Sequence, residues 1–126
     1  MYYSNNRIWT VQFFFFQGWG RLATGLQATT LQKAAVALVK NSACNKQWSG
    51  TNNAPIDNDS QICAGTGKTD TCDGDSGGPL LSNELSPRYS IIGITSFGGN
   101  ECASSEFPGV YTSVPNYLDW IAKQLK

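Results

Sequence analysis

The chain has 126 residues, with nine basic and nine acidic side chains, a formal net charge of zero and 40% hydrophobic residues. This length is that of one domain, and the composition is typical of a globular protein with a hydrophobic core. The balanced charge argues against a nucleic acid or an anionic membrane as partner, and the sequence lacks an apolar run of about 18 residues, the length that a membrane span needs.

The N-terminal stretch at 8–16 reads "IWTVQFFFF" and is strongly apolar. Gln12 interrupts it, and Arg7 is the only basic residue before it. A secretory signal peptide combines a positively charged start with an uninterrupted apolar centre. This stretch is therefore a poor signal peptide.

The next segment, "LQKAAVALV" at 31–39, is ambiguous. Leu31, Ala34, Ala35 and Leu38 have helical spacing, and alanine favours helix, so the pattern alone predicts a helix. Further along, short runs rich in β-branched and aromatic residues predict strands: "GGPLLS", "YSIIGITSF" and "GVYTSV". The segments "TNNAPIDNDS" and "SNELSPR" have the composition of loops.

The last segment, "PNYLDWIAKQL" at 115–125, predicts a helix. Pro115 and Asn116 are typical of a helix start. Tyr117, Ile121 and Leu125 are four residues apart and would form one apolar face. The predicted fold class is therefore all-β with one C-terminal α-helix.

Four cysteines, an even number in a small chain, favour disulfides in an oxidising compartment and therefore secretion. They are Cys44, Cys63, Cys72 and Cys102. The closest two are Cys63 and Cys72, and the chain has no histidine, so we expect no metal site. Spacing alone leaves all three disulfide connectivities open. The triplet Asn58-Asp59-Ser60 is a glycosylation sequon that agrees with secretion.

The segment "GDSGGP" at 74–79 has the features of a nucleophile turn. Its glycines, at 74, 77 and 78, allow a tight turn in which successive backbone N–H groups point into one concavity. An oxyanion could lie there, beside an exposed hydroxyl of Ser76. Without further context, an ordinary glycine-rich surface turn would explain the segment equally well.

Further motifs supply that context. They are "GWG" at 18–20, "ICAG" at 62–65, "DTCDGDSGGPL" at 70–80, "GITSFG" at 93–98 and "PGVYTSVPNYLDWI" at 108–121. In this order they resemble the C-terminal half of the trypsin-like, chymotrypsin-fold serine endopeptidases, over residues 18–126. The resemblance implies an incomplete chymotrypsin-type fold: one C-terminal six-stranded antiparallel β-barrel followed by the α-helix.

The resemblance also implies roles for residues of the nucleophile turn. Ser76 matches the nucleophile, and the N–H groups of Gly74 and Ser76 match the oxyanion hole. Asp75 matches the carboxylate that pairs with the new N-terminus when a zymogen of the family is cut. Since the chain supplies no matching N-terminus, we expect its oxyanion hole in a collapsed, zymogen-like arrangement.

A second group of residues is similar to the family's substrate-binding positions. Asp70 matches the base of a pocket that selects Arg or Lys through a charge-assisted hydrogen bond. The full predicted set is Asp70, Thr71, Ser96, Phe97, Gly98 and Gly109. The resemblance therefore implies a polypeptide substrate with Arg or Lys before the scissile bond, and no cofactor.

The family pattern further implies two disulfides, Cys44 to Cys63 and Cys72 to Cys102. It also implies that "LQKAAVALV" is a strand and that a short helix lies near "NSACNKQW". We prefer the strand to the helix of the pattern analysis, because tertiary context often overrides propensity.

The catalytic histidine and aspartate of such enzymes precede "GWG", and this chain has only 17 residues there and no histidine. We therefore expect the chain alone to be inactive and to need an N-terminal barrel for activity. Residues 1–17 do not resemble the family, and "FFFFQ" can be encoded by a pyrimidine tract ending in CAG, as introns end. The predicted domains are a non-family segment at 1–17, which is translated intron or a genuine apolar strand, and a protease domain at 18–126.

Three functions remain open. The first is a secreted, extracellular trypsin-like endopeptidase seen as a fragment, and we favour it because Ser76 and Asp70 are intact. The second is a non-catalytic homologue that binds a partner through its substrate cleft. The third is a non-functional product whose exposed apolar surface promotes aggregation.

Overall fold

The computed structural model describes residues 14–65, 67–83 and 88–125. The elements in chain order are β1 (Phe14–Gly18), β2 (Gln32–Val36), β3 (Leu38–Val39), α1 (Asn41–Trp48), β4 (Gln61–Ala64), β5 (Pro79–Ser82), β6 (Ser90–Phe97), β7 (Gly109–Ser113), a 3₁₀ turn (Val114–Tyr117) and α2 (Leu118–Gln124). The all-β class and the C-terminal helix are thus confirmed.

The seven strands form one antiparallel sheet in the order β2-β1-β5-β6-β7-β4-β3. Its two outer strands, β2 and β3, are successive parts of one segment, 32–39, interrupted only at Ala37. Ala37 still accepts a hydrogen bond from the Gly65 N–H at 3.0 Å. The sheet therefore curls until its two ends meet, and the predicted sixth strand appears as two short ones.

The ambiguous segment is extended, as the resemblance implied, and not helical. Residues Gln32–Val36 pair along β1 with Phe14 opposite Val36. Phe14, Phe16 and Val36 are all buried in one hydrophobic cluster. Backbone pairing and this burial outweigh the helical preference of two alanines, since propensity is a weak prior. The short helix that the resemblance implied is α1, which coincides with "NSACNKQW".

The three predicted strands are confirmed as β5, β6 and β7, and the predicted loop at 51–60 contains no strand or helix. The other predicted loop, at 82–88, lies in part outside the described residues. So do residues 1–13. Strand β1 includes residues 14–17, and the domain boundary between residues 17 and 18 stays a prediction.

Two hydrophobic clusters form the core. The first lies inside the curled sheet and comprises Phe14, Phe16, Val36, Ala64, Leu80 and Tyr111. The second packs α1 against the sheet and comprises Cys44, Trp48, Ile56, Cys63 and Val110. The Trp48 indole N–H also donates to the Pro108 carbonyl at 3.2 Å, which satisfies its polar atom in the core.

Both disulfides that the resemblance implied are present, Cys44–Cys63 and Cys72–Cys102. The first is fully buried and joins α1 to β4. The second closes a longer loop, with 30 residues between its cysteines in sequence, and lies next to the nucleophile turn. A loop of that size contributes roughly 3 kcal/mol through the unfolded state.

Helix α2 differs from the expectation of a buried apolar face. Tyr117, Trp120 and Leu125 are 39%, 61% and 80% exposed. Beside the helix lies an apolar cleft of about 340 Å³, hereafter the apolar cleft, lined by Ile94, Thr112, Val114, Tyr117, Trp120 and Ile121. None of the elements described here covers it. Contiguous apolar surface of this kind is typical of an interaction site.

Candidate active site

Ser76 lies in the loop before β5, with its side chain exposed. The loop is tied to β6 by backbone hydrogen bonds at both ends: the Gly77 N–H donates to the Thr95 carbonyl and the Thr95 N–H to the Gly78 carbonyl, each at 2.9 Å. Gly74 has φ +95°, in a region that residues with a Cβ avoid. The sequence therefore folds here as an anchored turn that presents the serine hydroxyl to solvent.

The two predicted oxyanion donors, the N–H groups of Gly74 and Ser76, donate to no acceptor among the described residues. The carbonyl of the preceding residue, Asp73, accepts from the Arg21 N–H at 2.8 Å. In a planar trans peptide the carbonyl and the following N–H point in opposite directions. The Gly74 N–H is therefore directed away from Arg21. Whether the hole is collapsed stays a prediction.

Arg21 also holds Asp73 through its side chain, with 2.5 Å between Nη2 and Oδ2. Both side chains are solvent-exposed, so this ion pair adds little stability by itself. Its effect is geometric, because it fixes the peptide that carries the Gly74 N–H from two points. The sequence analysis missed Arg21 and Asp73; the signal was a charged residue directly between Cys72 and Gly74.

Asp75 is buried, with 7% of its surface exposed. One carboxylate oxygen accepts from the Gly20 N–H at 2.7 Å and the other from the Cys72 N–H at 2.9 Å. A Cβ on Gly18 or Gly20 would collide with this carboxylate. The glycines of "GWG" are therefore needed for the close approach of this loop to the nucleophile turn.

Ser76 opens into a cavity of about 420 Å³, hereafter the serine cavity. Its lining consists of Thr71, Cys72, Asp73, Ser76, Thr95, Ser96, Phe97, Gly98, Gly99, Asn100 and Cys102. The structure thus brings Ser76 together with four of the predicted substrate-binding residues, contributed by β6 and the loop before β5. The predicted Gly109 and Asp70 do not line this cavity.

Asp70 instead lines a neighbouring cavity of about 260 Å³, hereafter the second cavity. Asp75 lines it as well, and so do three basic side chains: Arg21, Lys33 and Lys68. Cys72 and Cys102 line both cavities. Their disulfide therefore forms part of the wall between the serine cavity and the second cavity.

The carboxylate of Asp70 lies directly behind Thr71. It accepts from the Thr71 N–H at 2.8 Å, and the Thr71 hydroxyl lies 3.4 Å from the same oxygen. A Cβ at Gly109 would be 2.6 Å from this carboxylate, so only glycine fits there. The predicted Gly109 therefore contacts Asp70, the residue with which the sequence analysis grouped it.

Burial raises the pKa of Asp70 to about 6, and the hydrogen bonds from Thr71 counteract part of that rise. Burial likewise raises the pKa of the Tyr111 phenol, with smaller contributions from the negative charges of Asp70 and Asp75. No basic side chain pairs with Asp70 in the part of the chain that the structure describes. A desolvated carboxylate without a counter-ion is a suitable partner for an incoming cation.

Within residues 14–65, 67–83 and 88–125, no helix has the length and apolar character to cross a bilayer. The same ranges contain no group of three or more His, Cys, Asp or Glu side chains placed to hold a metal ion. The chemical groups of the site are thus a hydroxyl, backbone N–H donors and carboxylates.

Comparisons with known proteins agree with this geometry. The trypsin family model matches residues 8–121. Phenoloxidase-activating factor 1 of Holotrichia diomphalia is 41% identical over 110 residues, which are 86% of this chain and 29% of the relative. Human kallikrein-4 is 38% identical over 111 residues, 86% of this chain and 40% of the relative.

A solved structure is similar as well: mouse neuropsin, described as a serine protease expressed in the limbic system of the brain. It superposes with a TM-score of 0.77 at 34% identity, over 91% of this chain and 48% of that one. The chain thus spans less than half the length of these relatives.

Proposed function

Since the chain belongs to the trypsin family of serine proteases, we propose that it is the serine-bearing part of a secreted endopeptidase that cleaves polypeptides after Arg or Lys. Ser76 attacks the scissile carbonyl, and the N–H groups of Gly74 and Ser76 stabilise the oxyanion. The observation that carries the proposal is the serine cavity, in which the exposed hydroxyl shares one space with Ser96, Phe97 and Gly98.

The preference for Arg or Lys rests on Asp70. Its carboxylate is desolvated, lacks a basic partner among the described residues and is bonded to Thr71, which lines the serine cavity. A long cationic side chain that enters beside Thr71 would supply the missing counter-charge. Gly109, which leaves room for the carboxylate, supports this arrangement.

The general base is proposed to come from an N-terminal barrel outside these 126 residues, because the chain has no histidine and serine alone is a weak nucleophile. The apolar cleft supports this part of the proposal, since Trp120 and Tyr117 are exposed there beside Ile94. Burying such side chains against a second barrel would contribute about 25 cal/mol per Å² of apolar surface.

Asp75 is proposed to bind the α-ammonium group that activation cleavage would create. Its carboxylate is buried, faces the second cavity and is bonded by two backbone N–H groups. An ammonium group that enters the second cavity would reach it and strengthen the anchoring of the Gly20 loop. This contact would stabilise the peptide that carries the Gly74 N–H.

The test expresses the full chain in a secretory host together with the part of human kallikrein-4 that precedes its matched region. Purified complexes are assayed on matched chromogenic amides ending in Arg, Lys or Leu. We expect hydrolysis of the Arg and Lys amides, a loss of at least about 10³-fold for Ser76→Ala, and a loss of about 30-fold or more for Asp70→Asn.

The outcomes separate the candidate functions. Hydrolysis that survives Ser76→Ala would overturn the catalytic assignment, and a preference for the Leu amide would overturn the role of Asp70. A complex that forms through the apolar cleft, has its own histidine and yet hydrolyses none of the amides would favour the non-catalytic binding protein.

A further inference from the structure

We propose that Asn58 is a site of N-linked glycosylation. Asn58-Asp59-Ser60 is the only Asn-x-Ser/Thr triplet in the 126 residues, and its middle residue is not proline. Such triplets also occur by chance, so the proposal depends on the surroundings of Asn58 in the folded chain. It does not depend on the catalytic role proposed above.

Asn58 lies in the loop between α1 and β4, and it is exposed. Helix α1 holds it at two points. The side-chain amide of Asn41 donates to the Asn58 main-chain carbonyl at 3.1 Å, and that of Asn45 donates to the Asn58 side-chain oxygen at 3.0 Å. The acceptor asparagine is thus presented on a fixed turn.

The orientation of the Asn58 amide follows from its neighbours. The Ile56 N–H donates to Oδ1 of Asn45 at 2.8 Å, so the other corner of that amide, Nδ2, must be the donor. The atom of Asn58 that receives this donor is therefore Oδ1. Its Nδ2 has no acceptor among the described residues and points away from α1. This free nitrogen is the atom that carries the sugar in a glycosylated asparagine.

The transfer breaks the bond between the anomeric carbon of the donor sugar and the diphosphate of its lipid carrier. A new bond joins that carbon to Nδ2 of Asn58, the amide loses one proton, and the lipid diphosphate leaves with the electron pair. The reaction takes place in the compartment where disulfides form, which agrees with Cys44–Cys63 and Cys72–Cys102.

A glycan at Asn58 would leave the proposed sites accessible. Asn58 lines neither the serine cavity nor the second cavity, and it is also absent from the apolar cleft. We therefore expect the modification to increase solubility without blocking substrate or a second barrel.

The test translates the full chain behind a cleavable signal peptide in the presence of microsomes and analyses only the chains protected from added protease. Peptide-N-glycosidase in H₂¹⁸O then marks each glycosylated asparagine as ¹⁸O-labelled aspartate for mass spectrometry. The variants are Asn58→Gln, Ser60→Ala and Ser60→Thr. Ser49→Asn, which makes Asn-Gly-Thr at 49–51 in another exposed turn, is the matched control.

We expect label at position 58 in the unmodified chain and in Ser60→Thr, and none there in Asn58→Gln or Ser60→Ala. Unlabelled Asn58 in protected chains overturns the proposal, and label at 49 in the control variant would show that the loop at 58 itself is the obstacle. Label that persists at 58 in Ser60→Ala also overturns it, because the hydroxyl is part of the acceptor triplet.

Discussion

Asp70 is a desolvated carboxylate whose raised pKa connects a single residue to the stability of the fold. Its folded-state pKa is about 6, above the ordinary value of 3.8. Between these values the folded chain holds the proton more tightly than the unfolded chain does. The contribution of Asp70 to stability is therefore most favourable at low pH and is lost as the pH rises towards and through 6.

Asp70→Asn should consequently stabilise the chain at about pH 7.5 and have no such advantage at about pH 4. One pKa unit corresponds to about 1.4 kcal/mol, but the group is partly exposed, so we expect a gain of about 1 kcal/mol. Urea unfolding at both pH values measures it. Equal stability of the two proteins at the higher pH would contradict the prediction.

Asp57→Asn is the control with the opposite sign. Hydrogen bonds from the Ser60 hydroxyl and the Asp59 N–H lower the pKa of this exposed carboxyl. Its contribution is therefore present above the ordinary pKa and lost as the pH falls. Asp57→Asn should remove some stability at neutral pH and none in acid.

Gly109→Ala tests the close approach of that glycine to Asp70. The added Cβ would lie 2.6 Å from Oδ1, and overpacking of this kind costs about 1–3 kcal/mol. In an Asp70→Ala background the clashing oxygen is absent, so the penalty should fall by more than half. A double-mutant cycle by chemical denaturation measures the coupling, and additive effects would count against direct contact.

At the scale of elements, the sequence predicted strands and helix ends better than it predicted what covers them. Residues 31–39 have the spacing of a helix, yet they form β2 and β3 because β1 and β4 pair with them. Pairing between distant segments leaves no trace in local periodicity. The glycine turn and both disulfides were identified only because the motif resemblance supplied tertiary context.

The candidate site shows the same limit. The motif located Ser76 and Gly74, and it grouped Ser96, Phe97 and Gly98, which share the serine cavity. It could not show that Asp70 lies behind Thr71, facing another cavity. Nor could it identify Arg21, because the contact with Asp73 joins residues that are 52 positions apart.

Helix α2 leads to a prediction about two tryptophans. Trp120 is 61% exposed beside the apolar cleft, whereas Trp48 is 3% exposed and packs against Phe97 and Phe107. Trp120→Ser should change the free energy of unfolding by about 0.5 kcal/mol or less, and Trp48→Ala should lower it by about 3–5 kcal/mol.

Trp120→Ser should also weaken binding of a hydrophobic dye and slow aggregation, since it removes exposed apolar surface. Thermal unfolding, dye fluorescence and light scattering measure these effects. A large loss of stability in Trp120→Ser would mean that the apolar cleft is closed in solution, contrary to the structure.

At the scale of the whole molecule, the origin of residues 1–17 decides what the complete protein is. Strand β1 requires only that residues 14 and 16 be apolar, because these two face the core. A pyrimidine-rich tract encodes phenylalanine in any case, so the buried Phe14 and Phe16 are compatible with an intron or an exon. The family match from residue 8 rests on the same apolar pattern at its start.

We expect the mature transcript to join the Gly18 codon to an upstream exon that encodes a histidine and an aspartate. Sequencing the message across the Gln17–Gly18 junction tests this directly. A mature message that reads through "FFFFQGWG" would contradict it, and the function would then have to be sought in binding.

The meeting of β2 and β3 also determines how the chain folds. Strand β1 pairs with residues about as far along as Ser82, and β4 pairs with β7 near the end of the chain. Such distant pairings make folding slow. Until the segment 32–39 has joined both ends of the sheet, every intermediate has two unpaired strand edges. The chain is therefore most prone to associate with other copies during synthesis and refolding, before the sheet closes.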